Sequence, residues 1–255
     1  MLICDGDTRR FCRVGTDIGA YITLDIMDES PSLLFKSNLT EVSQLMVMHA
    51  ALAGAGPGRK HSVEVLNKSA ILFACASFEA FIEDLATRSF DHMVLKSKDH
   101  NGLPKAILKS IAEVLRNDKN EIKIWDLAGD GWRNVAEHHK NGLIRKYIGP
   151  FNTPKPHNIE SLLKELIGFP ETYPVWKWKG MTMAASKSKL KIFVELRGAL
   201  AHGGKRPAPV LKKDVNDYIK FLATLSVRLS NDVAKYCELH TGEEPWDSVR
   251  YGAVR

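Results

Sequence analysis

The sequence predicts an all-α bundle with a helical insertion and a short N-terminal hairpin or extended arm. Three observations carry that expectation. Apolar residues recur at three- and four-residue intervals along four long stretches, alternation at a spacing of two is confined to the first 30 residues, and Gly- and Pro-rich segments separate the long stretches. A chain of 255 residues that is 44% hydrophobic has enough apolar material for a substantial core.

Residues 1–30 hold Gly6, Gly15, Gly19 and short alternating pieces such as "AYITLDI", so they form the arm or hairpin, and residues 31–255 form the helical domain. The first core helix is expected over about 38–53, with Asn38 as its cap, Glu41 three residues on and Gly54 as its stop. The second, about 62–96, runs on without Pro or Gly and is the best candidate for the central helix. Residues of about 98–180 read as an insertion or lid with short helices near 104–116, 121–139 and 158–167. Two further core helices follow at about 182–202, ended by Gly203 and Gly204, and at 211–239.

Composition removes several function classes. No stretch matches the roughly 20 apolar residues of a bilayer span, because the longest candidate, "AILFACASFEAFIEDL", carries Glu79, Glu83 and Asp84. The start "MLICDGDTRR" lacks the apolar run of a signal peptide, so a cytoplasmic protein without membrane attachment is expected. Cys4, Cys12, Cys75 and Cys237 are far apart, with no Cys-x-x-Cys pair, which fits buried thiols better than disulfides or a zinc cage. His138 and His139 are adjacent and diverge on any regular element, so no metal or other cofactor is expected.

The net charge of +6 is concentrated: between Lys177 and Lys213 ten Lys or Arg face the single acid Glu195. A field of that sign attracts polyanions, RNA among them, although most such runs are solvated faces. Lys187, Lys189, Lys191, Lys205 and Arg206 are the candidate RNA contacts. Nearby, "YPVWKWKGM" interleaves Trp176 and Trp178 with lysines; base stacking is one role for these indoles, and core anchoring is the commoner one.

Inside the basic segment stands "VELRGALAHGG", Val194 to Gly204. An Arg followed by His after four to six residues is weak evidence, because chance alone supplies about 1.4 such pairs at this composition. Arg133 with His138, Arg133 with His139, and Arg197 with His202 all qualify. The third pair differs in its setting, at the carboxyl end of a patterned helix where an imidazolium is favoured and a ligand could approach. A purely structural reading stays open, with His202 capping carbonyls and Arg197 paired to Glu195 or another acid. Glu79, among Cys75, Phe78, Phe81 and Ile82, needs a cation or backbone donors if it is buried.

Together, "VELRGALAHGG", the upstream "SAILFACASFEAFIEDL" and the helix "NLTEVSQLMVMHAALA" resemble the HEPN superfamily, specifically its RiboL-PSP-HEPN group. The resemblance covers Asn38 to Lys96 and Trp178 to about Tyr236. It implies an all-α homodimer in which Arg197 and His202 form a metal-independent endoribonuclease site, in toxin, phage-defence or RNA-processing roles, with an antitoxin or other protein as a possible restraint. Glu79 and Glu195 are the candidate supports, Glu79 by orienting Arg197 or the His202 loop, with a structural or capping contact as the alternative.

In many active members a polar residue follows the arginine, where this chain has Gly198, which points either to a close helix contact or to a catalytically inactive module that binds RNA or a protein partner. Five positions separate Arg197 from His202, or about 140° around a straight helix. Convergence on one phosphate therefore needs a break near Ala201 or a second chain.

Overall fold

A computed structural model describes residues 29–53, 63–148, 153–170, 174–202 and 209–249, with His202 described by its backbone alone. The predicted N-terminal hairpin, with Cys4 and Cys12, lies outside the described residues. Among these residues there are seven α-helices and no β-strand; one isolated bridge joins Trp178 and Met181.

Helix α1, Pro31–Ala53, begins a full two turns before the expected cap at Asn38. Pro31 suits a first helical position, where its missing N–H costs nothing. Ser30 precedes it, its carbonyl accepting from Leu33 N at 2.8 Å and its hydroxyl 2.9 Å from that of Ser230. Asn38 is therefore mid-helix, and Phe35, Leu39, Val42 and Met46 form the buried stripe.

Helix α2, Glu64–Lys96, is the central element, packed most extensively against α1 and the last helix of the bundle. Phe78 on α2 meets Phe35 of α1 edge-on with centroids 5.6 Å apart, and Phe81 lies 5.4 Å from the same ring. Among the described residues α2 is the one helix long and apolar enough to cross a membrane, yet half of its apolar window is buried within the fold. Its Ala70, Ile71, Ala74, Phe78, Ile82 and Leu85 are core residues.

The segment expected as an insertion or lid contributes to the same core. Helix α3 is Lys105–Arg116, α4 is Gly131–Leu143 and α5 is Pro156–Ile167. Ile107, Trp132, Ile159, Leu162 and Leu166 from these helices are buried in one cluster with the α2 side chains, so the segment is a wall of the bundle. The single helix expected over 121–139 is two elements: a 3-10 stretch, Glu121–Leu127, and then α4. Gly129, at φ 57°, makes the turn between them in the left-handed region open to glycine. Helix α5 ends on Gly168 at φ 70°, whose carbonyl accepts the Tyr236 hydroxyl at 2.8 Å.

Helices α6, Met183–His202, and α7, Lys212–Thr241, complete the bundle. Between them, Asn67 of α2 donates to the Val210 carbonyl at 2.8 Å, which ties the approach to α7 back to the start of α2. Trp176 is 1% exposed, which removes it from any base-stacking role, and Trp178 packs on Phe221 at 6.0 Å.

Phe78→Ala deletes the ring shared by α1 and α2, and a destabilisation of about 3–5 kcal/mol is expected in urea unfolding. An effect under about 1 kcal/mol would show that the aromatic cluster does not hold α1 in place.

Candidate functional site

A polar contact between two core helices joins α2 to α6. Arg197 Nη2 donates to Glu79 Oε1 at 3.3 Å, and the two side chains are 23% and 15% exposed. The spacing of apolar residues on α2 turns Glu79 toward the bundle, one turn after Cys75, whose thiol lies 3.8 Å from the same oxygen. That i, i+4 relation was readable in the sequence, and of the two partners expected for Glu79, Arg197 or the His202 loop, the contact is with Arg197.

Burial raises the Glu79 carboxyl above its ordinary range, and the Arg197 guanidinium opposes the shift. Burial, and then the carboxylate beside it, pushes the Cys75 thiol up to about 12, so this cysteine is no nucleophile at neutral pH. Among the described residues Nη2 is the only Arg197 atom engaged, so a group with five N–H donors keeps several for an incoming anion.

Helix α6 continues without a break to His202. Positions 197 and 202 are therefore about 140° apart around its axis, and a break near Ala201 is removed as a way to bring them together. The His202 side chain, Lys205 and Arg206 are outside the described residues.

Glu195 is on the exposed side of α6, with Lys191 of its own helix 3.9 Å away, and is not the partner of Arg197. Lys187 is 2.5 Å from Glu160 of α5 and lies over the Trp176 ring at 5.6 Å. Lys189 lies over Phe221 and Tyr218 of α7, at 5.3 and 5.8 Å. These two lysines hold α6 to its neighbours, and Lys191, at 63% side-chain exposure, faces solvent.

Gly198 does not mark a close helix contact, because a Cβ built there meets nothing within 4 Å. The competing pair at Arg133 is a structural device. Arg133 donates to the Val94 carbonyl and, at 2.6 Å, to that of Ser97, where α2 leaves unpaired carbonyls, and its guanidinium lies 4.4 Å from the Trp132 ring. No cluster of three His, Cys, Asp or Glu side chains able to hold a metal occurs among the described residues.

The chain matches the RiboL-PSP-HEPN family over residues 36–235, a span that takes in most of α1, all of α2 to α6 and most of α7. It belongs to that family. Comparison with curated proteins and with solved structures gave no match.

Two outcomes are expected. Gly198→Ala, open in space and inside a helix, should raise stability by about 1 kcal/mol in thermal or urea unfolding, and a loss would reveal a contact at that position. Because the folded chain holds the Glu79 proton more tightly than the unfolded chain, this group stabilises most at low pH, and its contribution falls as pH rises through the raised value. Urea midpoints measured from about pH 4 to 7 should lose that component in Glu79→Gln, and identical pH profiles would remove the assignment.

Proposed function

We propose that the chain is a metal-independent endoribonuclease acting as a homodimer, with Arg197 and His202 as its catalytic pair. The observation that carries the reading is the geometry of Arg197: a guanidinium fixed by a half-buried carboxylate on the central helix, with donors to spare, on the unbroken helix that leads to His202 in a HEPN-family chain. Membership of the family and the conjunction of these residues support it more than the Arg-His spacing does.

RNA carries its own nucleophile. A base, His202, takes the proton of a 2′-hydroxyl, and the oxygen attacks the adjacent phosphorus. Arg197 then meets the charge that builds on the non-bridging oxygens, for which its planar fork is suited. The 5′-oxygen leaves and is protonated, giving 2′,3′-cyclic phosphate and 5′-hydroxyl ends. Glu79 is a positioning residue: it sets the direction of the guanidinium without touching RNA.

Two chains solve the angular problem. Positions about 140° apart on one helix cannot readily face one phosphate, but an isologous pair of α6 helices can set the Arg of one chain beside the His of the other. Exposed Phe73 on α2 and Ile192 on α6, at 37% and 53%, give these same helices apolar surface for such a contact. Lys191, Lys205 and Arg206 are the proposed RNA contacts that remain once Lys187 and Lys189 are set aside. We place the enzyme in the cytoplasm as a toxin or defence effector restrained by a protein partner.

A second reading is a silent HEPN module that binds RNA or a protein. Gly198 favours it, since the position after the arginine offers no polar side chain and no packing explains the glycine.

Labelled RNA incubated with the protein in EDTA should yield cyclic phosphate ends, and all-DNA substrate should stay intact. His202→Ala and Arg197→Ala should each abolish cleavage, while Glu79→Ala should slow it about 10- to 100-fold, the value of a charge-assisted hydrogen bond. Mixing the two inactive variants after unfolding and refolding should restore about one quarter of the activity, because half the dimers are mixed and each carries one intact site. No restoration would confine each pair to one chain, and RNA binding without cleavage by the wild type would favour the silent module.

A further inference from the structure

We propose that a cavity between α3 and α4, remote from the Arg197 pair in sequence and built on different helices, binds an uncharged nitrogen heterocycle of nucleobase or nucleoside size. The cavity has a volume of about 420 Å³, within the range of small-molecule sites. Ile111, Val114 and Leu115 of α3 form one wall and Val135 of α4 the other, so the slot offers apolar surface to both faces of a ring.

The polar group that singles this cavity out is His139. It lines the slot, is 7% exposed, and its Nε2 has no hydrogen-bond partner. A buried ring nitrogen without a partner is costly, and because Nε2 is closed off by the atoms around it, a ligand edge removes that cost by drawing the ring toward the slot. Burial and the neighbouring His138 hold its pKa below the ordinary imidazole range, so the ring is neutral and offers one donor and one acceptor. Asn134, at the exposed edge of the same helix, adds an amide that can both donate and accept.

Charge decides between ligand classes. Lys123 is the one cation among the permanently charged lining groups, and it is already bound to Asp118 at 2.6 Å. Asp126 lines the cavity as well, so a phosphate or carboxylate would enter without a free counter-charge and against an acid. Among the described residues a metal ion lacks the three-residue ligand set, despite the two adjacent histidines. A ring with two apolar faces and an edge of alternating donors and acceptors fits what is left, and nucleobases have that form whether free, as nucleosides, or within an RNA strand.

The test uses the full chain and isothermal titration with adenosine, guanosine, cytidine and uridine, beside a four-nucleotide RNA. At least one of these ligands should bind with Kd below about 1 mM. Val114→Trp fills the mouth from a position that is 50% exposed, so the fold should survive, and it should weaken binding at least about 10-fold, as should His139→Phe. Should His139→Phe not fold, Val114→Trp alone decides. Binding of the oligonucleotide but not of nucleosides, lost in Val114→Trp, assigns the ligand as a base within a strand. Arg197→Ala should bind the nucleosides, which carry no phosphate for that arginine, as the wild type does, which separates this site from the proposed nuclease. Absence of binding by every ligand, indifference to both cavity variants, or loss of nucleoside binding in Arg197→Ala would each overturn the proposal.

Discussion

A helix of 33 residues surrounded by neighbours must place the polar side chains it turns inward, and α2 uses several of them to fix other parts of the fold. Asn67 holds the carbonyl of Val210 and Glu79 holds Arg197. Arg88 donates to the Glu29 carbonyl at 2.6 Å and lies over the Trp246 ring at 5.3 Å, joining the two ends of the described chain. Asp91 accepts from Lys140 of α4 at 2.6 Å, and His92 Nε2 is 2.9 Å from the carbonyl of Glu243. The apolar side chains of α2 supply the burial, and these polar ones specify which element goes where.

The Glu79–Arg197 pair shows why such contacts bear on function more than on stability. Partial burial of both groups carries a desolvation cost that offsets their attraction, which is why the carboxyl pKa stays raised even beside a guanidinium. What the pair secures is direction: an arginine on a half-exposed helix face has many rotamers, and one held at a defined oxygen presents its other N–H groups from a fixed position. The lysines on the same helix have a different fate. Lys187 and Lys189 lie against Glu160, Trp176, Tyr218 and Phe221, so part of the positive charge that is concentrated in this segment serves to dock α6.

Much of the fold was legible because apolar spacing is a local property. The periodicity of residues 63–85 marked the central helix, and the order of three motifs marked the family. Errors arose where local signals competed. Asn38 and Glu41 imitate a cap, yet Pro31 and Ser30 start the helix earlier because Phe35 gains burial against Phe78 and Phe81. Apolar spacing ran on across 121–139, but the glycines of "AGDG" broke it. Arg133 carried the same spacing to histidine as Arg197, and only its position over the carbonyl end of α2 shows that it caps a helix.

By itself the sequence determined the all-α class, the central helix and the paired occurrence of Arg197 and His202, since periodicity, breakers and motif order are written along the chain. Only the tertiary structure decided that Glu79 is the carboxylate that holds Arg197, that Glu195 is not, and that His139 lines a cavity while its buried Nε2 has no hydrogen-bond partner. Glu79 and Arg197 are 118 residues apart, and nothing in the spacing of either helix encodes the rotation and offset at which the two pack. Those are set by how the side chains of all the helices fill one shared interior.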